Sequence, residues 1–104
     1  MTIENIFEML KETEFPVAYS HFKTAQKPPF ITFKLAYTSN NFADNKVNKV
    51  LNRWQIELYT SVKDPTKEAL LESVLDSNNC CWNKVETYIN DEKIFQIIYE
   101  ITEV

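Results

Sequence analysis

Residues 49–79 read KVLNRWQIELYTSVKDPTKEALLESVLDSNN, and the hydrophobic period changes once along that run. From Lys49 to Ser61 the period is two. Val50, Trp54, Ile56 and Leu58 share one side, and Arg53, Gln55, Glu57 and Tyr59 share the other. That alternation predicts a strand with one buried face. From Asp64 to Asn79 the period is helical, with Leu70, Leu71, Val74 and Leu75 as the apolar stripe. Asp64 suits the N-cap, and Pro65 suits the first helical position, where a missing N–H costs nothing. Asn78-Asn79 stop the helix, with asparagine taking the left-handed cap that glycine usually fills.

The flanking segments settle the class. Residues 3–13 carry Ile3, Ile6, Phe7 and Leu10 at helical spacing, with Thr2 as N-cap. Phe15-Pro16 ends that helix, because the residue before a proline avoids the helical region. VAYSHF, 17–22, alternates and predicts a short strand, and TAQKPP, 24–29, predicts a polar loop. FITFKLAYT, 30–38, predicts a strand with Ile31, Phe33, Leu35 and Tyr37 on one face. Beyond the second helix, CWNKVETYI and IFQIIYEITEV predict two strands joined by a hairpin turn at Asn90-Asp91. The order α-β-β-β-α-β-β implies one α+β domain over 1–104, with about five mainly antiparallel strands and both helices on one sheet face. The opposite face must then carry some of Tyr59, Trp82, Tyr88, Ile94 and Ile98, and an open aromatic face invites a partner.

Composition removes several functions. Eleven Lys and Arg are scattered among 15 Asp and Glu, for a net charge of −4. Nucleic-acid binding, which needs a basic patch to release phosphate counterions, is not expected. The chain has no glycine, so neither a phosphate-cradling P-loop nor a Rossmann fingerprint is present. The opening TIENIFEML contains acids and no long apolar run, so it does not read as a signal peptide. No stretch approaches the ~20 apolar residues of a membrane span, and the expected location is the cytoplasm. Cys80 and Cys81 are adjacent, which disfavours a disulfide between them, and two reduced thiols are expected.

Candidate chemistry is sparse. Ser20-His21 could pair a nucleophile with a base, but neighbours on a strand point to opposite faces. Glu68 and Glu72 stand four apart on the second helix, where the plainer reading is a solvated face. Asp44, with Asn41 and Asn45, could offer oxygens to a cation, although turn chemistry accounts for them. No catalytic, cofactor-binding or metal residue is therefore assigned. YTSNNFADNKVNKV, 37–50, is expected as a long connection whose asparagines take positive-φ turns. An apolar Phe42-Ala43 inside a polar loop points to a contact with another chain. Asn41, Phe42, Ala43, Asp44, Lys46, Tyr59 and Trp82 form the expected interface set.

FPVAYSHF, PPFITF, NNFADNKV, RWQIELYTSVKDPTKEALLESVL and WNKVETYINDEKIFQIIYEI span Phe15 to Ile101. With these segments in this order the chain resembles the small tail-terminator, or tail-to-head joining, proteins of long-tailed phages and prophages of Gram-positive bacteria. The resemblance is a pattern of many weak matches and has no catalytic signature. It implies an α+β subunit that assembles as a hexameric ring, caps the tail tube at its head-proximal end and offers a docking face to the head-completion connector. It implies a structural virion protein with no catalysis and no cofactor. Its partners would be itself, the tail tube protein and the connector, first in the host cytoplasm and then in the virion tail. The family carries no fixed site residues to transfer. The alternatives are a small cytoplasmic protein-binding module and a metal-dependent hydrolase built around Asp44.

Overall fold

The computed structural model describes residues 1–43 and 46–102, with the side chains of 39–43 and 46–51 outside that description. The elements are α1 (Ile3–Leu10) with a 3-10 turn at Lys11–Thr13, β1 (Val17–Tyr19), β2 (Phe30–Ala43), β3 (Lys46–Thr60), α2 (Pro65–Ser77), β4 (Cys81–Ile89) and β5 (Ile94–Thr102). The five strands make one sheet in the order β1-β2-β3-β5-β4. This is the expected α+β class and element order.

Local chemistry places both helices. Thr2 and Asn5 form a reciprocal capping box at the start of α1. The Asp64 side chain accepts from the Lys67 backbone N–H at 3.2 Å and caps α2. α1 buries Ile6, Met9 and Leu10, and α2 buries Leu71, Val74 and Leu75. These pack on Ile31, Phe33, Trp54, Ile56, Leu58, Ile97, Tyr99 and Ile101 from the sheet in one core. Ile3 and Leu70, expected in the apolar stripes, are exposed. Each helix meets the sheet along a stripe narrower than its apolar sequence.

Three expectations about the strands need correction. First, β1 stops at Tyr19, and it pairs with β2 in parallel, Val17 opposite Ile31. Residues 20–29 carry the chain back before β2 starts. Ser20 N–H donating to Phe33 O and Ile31 N–H donating to Pro16 O fasten the two ends.

Second, residues 38–43 and 46–49 are strand and not loop. β2 and β3 stay paired out to Ala43 opposite Lys46. Asparagine is a poor strand former, but the ladder across the pair overrides its local preference. Among the described residues, β5 joins β3 from Arg53 onward, and β1 covers Ile31 to Phe33 of β2. Thr38–Ala43 and Lys46–Asn52 therefore make a two-stranded ribbon that runs beyond the five-stranded sheet. The chain is correspondingly elongated, 50 Å by 29 Å by 24 Å.

Third, Tyr37 does not share a face with Ile31 and Phe33. Leu35 pairs with Trp54 and Tyr37 with Arg53, so Ala36 is an extra residue, a β-bulge. The bulge turns Tyr37 to the helix-free face, where its hydroxyl lies 3.5 Å from Glu100 Oε1.

The helix-free face carries Tyr59, Ile94 and Ile98, as expected. Trp82 and Tyr88 are instead on the helix side, opposite Ile101 and Phe95 across the β4–β5 ladder. Among the described residues, the positive-φ positions are Glu14, Ser20, Asn79 and Lys93. Asn79 is where the helix stop was expected. The hairpin turn places its left-handed residue at Lys93, not at Asn90-Asp91. No described asparagine of the ribbon takes a positive φ.

Candidate functional site

The helix-free face has a concave end. Residues 20–29 rise from the end of β1 and lean over the first residues of β2. The β4–β5 turn closes the other side with Glu92. Between them lies a groove of about 440 Å³. Its walls include Ser20, His21, Phe22 and Ala25, and its floor includes Phe30, Thr32, Tyr59 and Ile94. Phe30 stacks on Tyr59 at 4.7 Å between centroids, and Phe22 meets Phe30 edge-on at 5.5 Å. A volume of this size with mixed aromatic and polar lining matches the usual character of a binding site.

The floor rests on a buried carboxylate. Glu57 is 8% exposed. Thr32 Oγ1 donates to its Oε1 at 3.0 Å, and Gln96 Nε2 donates to its Oε2 at 2.9 Å. Gln96 Nε2 also donates to the Tyr59 hydroxyl at 2.9 Å. These bonds meet the desolvation cost of the carboxylate with neutral donors. Burial raises the Tyr59 pKa above its ordinary 10.0, and the neighbouring Glu57 charge adds to that. Tyr59 therefore remains a neutral hydroxyl on the groove floor.

Ser20 and His21 lie side by side in the groove wall, with His21 Nδ1 3.2 Å from Ser20 Oγ. Strand geometry would have separated them. The strand ends before them, however, and Ser20 turns to φ 67°.

A second polar cluster joins α2 to β4. The solvated-face reading of Glu68 does not hold, because Glu68 is 3% exposed. Lys63 Nζ lies 2.6 Å from its Oε2, and Lys84 Nζ lies 3.2 Å from its Oε1. Lys84 also reaches Glu72 Oε2 at 2.7 Å, and Lys63 pairs with Glu86. Here β4 presents charged residues to the helix, so α2 buries an acid against them. Burial by itself would push the Glu68 carboxyl up; the bonds from the two lysines outweigh it and hold the carboxyl below its usual 4.5. The bond to Glu72 is the main reason the Lys84 ammonium is pushed up.

Of the expected interface set, Tyr59 lines the groove. Trp82 is half-buried on the helix side, edge-on to Tyr99, with its indole N–H donating to Asp76 Oδ1 at 2.9 Å. Asn41, Phe42, Ala43 and Lys46 belong to the ribbon by backbone register, and their side chains lie outside the described residues. Asp44, and with it the proposed oxygen cluster for a cation, also lies outside them. Sequence reasoning missed Thr32, Gln96 and Glu57 as a unit. Each is only one polar residue in an alternating strand, and the cross-strand register is what joins them. No helix among the described residues is long and apolar enough to cross a membrane. Comparison of the chain with protein-family models and with curated proteins finds no match.

Proposed function

We propose that this protein is a structural subunit of a phage or prophage tail, assembling with copies of itself into a ring that ends the tail tube and joins it to the head. The observation that carries this reading is the two-stranded ribbon beyond Arg53. A two-stranded hairpin is marginal in water by itself and gains stability by packing on something else. Among the described residues, Thr38–Ala43 and Lys46–Asn52 have only each other as strand neighbours, so the ribbon is suited to contact another chain. The resemblance of residues 15–101 to tail-terminator proteins supports a tail ring as that assembly. A rigid sheet with an extension at one end suits the repeated head-to-tail contacts of a ring.

The test is assembly itself. Sedimentation velocity over a concentration series, alone and with purified tail tubes, is expected to show a closed oligomer. Phage lacking the gene are expected to make tails of abnormal length that do not join heads. Phe42→Ala in the ribbon is expected to weaken assembly and leave the monomer's melting temperature nearly unchanged. A chain that stays monomeric with tubes present, together with normal joined tails in the deletion phage, would leave the smaller role of a protein-binding module.

A further inference from the structure

The ribbon and the groove lie at opposite ends of the same strand pair. β2 begins at the groove with Phe30 and ends in the ribbon with Ala43, and β3 runs back from Lys46 to Tyr59 on the groove floor. Thirteen residue steps of strand separate the two ends by roughly 40 Å. The ribbon is built on the rigid sheet and cannot reach the groove of its own chain.

The two ends also complement each other chemically. Residues 38–52 contain Lys46 and Lys49 against one acid, Asp44. Among the groove's lining residues, Glu92 is the carboxylate and there is no lysine or arginine. Lys23, Lys27 and Lys93 are close in sequence to lining residues but do not line the groove themselves. Glu57 lies beneath the floor, bonded to Thr32. The Phe30–Tyr59 stack offers aromatic faces, which attract an ammonium group and also pack against its aliphatic stem.

We propose that the groove is the acceptor for the ribbon of a second copy of this chain, so that subunits join head to tail through a basic ribbon seated in an aromatic, carboxylate-bearing groove. This contact rests on the assembly reading above and specifies its chemistry. It is heterologous: each copy uses one ribbon and one groove, and an open chain of subunits keeps one free ribbon and one free groove until the ring closes.

The test uses the full chain in two kinds of variant. Ala25→Trp fills the groove from an exposed position, and Glu92→Lys reverses its charge at another exposed position. Lys46→Glu with Lys49→Glu reverses the ribbon. Each is expected to weaken self-association by about tenfold or more while the melting temperature of the monomer stays near wild type. Mixing a ribbon variant with a groove variant is expected to restore one contact only, the intact ribbon of one in the intact groove of the other. That gives a dimer that grows no further. Combining Glu92→Lys with the two ribbon reversals in one chain is expected to recover part of the lost assembly. Wild-type-like assembly by both kinds of variant overturns this contact and leaves the ring reading in place. A mixture that gives no dimer also overturns it. A wild-type chain that never self-associates, alone or on tail tubes, overturns the ring reading and this contact with it. Occupation of the groove only by a basic segment of a different protein overturns the self-contact.

Discussion

The Tyr99 hydroxyl donates to Glu72 Oε2 at 2.7 Å, from a side chain with no exposed surface. It joins the centre of β5 to the flank of α2. Burial raises the phenol's pKa far above the ordinary range, and the Glu72 carboxylate raises it further. The proton therefore stays on the oxygen at any ordinary pH. Tyr99→Phe keeps the ring and removes this one bond. It is expected to cost about 1–2 kcal/mol, read as a lower midpoint in urea with an unchanged slope. An unchanged midpoint would mean that Lys84 alone satisfies Glu72.

Glu68 makes stability depend on acid. Its folded carboxyl gives up its proton more readily than the unfolded one. The unfolded chain therefore takes up a proton first as the pH falls. The contribution is fully present above the unfolded value near 4.5 and is lost as the pH drops through the lower folded value. Glu68→Gln is expected to be less stable than wild type at neutral pH by about 1–2 kcal/mol. The two proteins should converge toward the acid end of the titration. A constant gap across that range would show that the lysine pairs do not set the effect.

The adjacent thiols should behave differently. Cys80 is buried, with Sγ 3.8 Å from Met9 Sδ, and Cys81 is exposed. Burial pushes the Cys80 thiol up, and the neighbouring Cys81 adds to it. A thiol reagent at mildly alkaline pH is expected to modify Cys81 quickly and Cys80 only after unfolding. Fast modification of both in the native protein would contradict the placement of Cys80 in the core.

Without glycine, the left-handed positions fall on residues that carry a Cβ. Glu14 sits at φ 69° and Lys93 at φ 55°, both exposed. A Cβ in that region costs about 1–2 kcal/mol, part of which glycine returns as extra freedom in the unfolded chain. Glu14→Gly and Lys93→Gly are each expected to stabilise the protein by about 0.5–1 kcal/mol, a rise of a few degrees in melting temperature. A loss of stability from both would mean that their side chains contribute more than the backbone conformation costs.

The fold was legible where the hydrophobic period was strong and locally capped. The helix at Pro65–Ser77 lies between its expected cap and stop. The Ile31–Phe33 and Trp54–Leu58 alternations face the core as read. Legibility ended where pairing decides conformation. Asparagine's turn preference suggested a loop at 38–49, and only the pairing of the two strands makes 38–43 and 46–49 a ladder. The parallel pairing of β1 depends on the path of residues 20–29, which no period encodes. The groove was hidden for the same reason, because its floor joins β2, β3 and β5. Glu68 was misplaced because helical spacing cannot show that Lys84 of β4 and Lys63 ahead of the helix would meet it.

The bulge at Ala36 has a counterpart. Asn41 pairs with Lys49 and Phe42 with Val47, so Asn48 is the extra residue on β3. One insertion on each strand restores the count, and the two strands reach the tip level with each other. Each is the residue that its partner strand skips, so losing either would leave the remaining pairs in place and make the ladder regular at that point. An unmatched residue gained or lost elsewhere in the ribbon would instead shift the pairing register by one. Natural variation in the ribbon should therefore change its length by matched residues in the two strands, and the sheet can stay fixed while the far end is rewritten for a new partner.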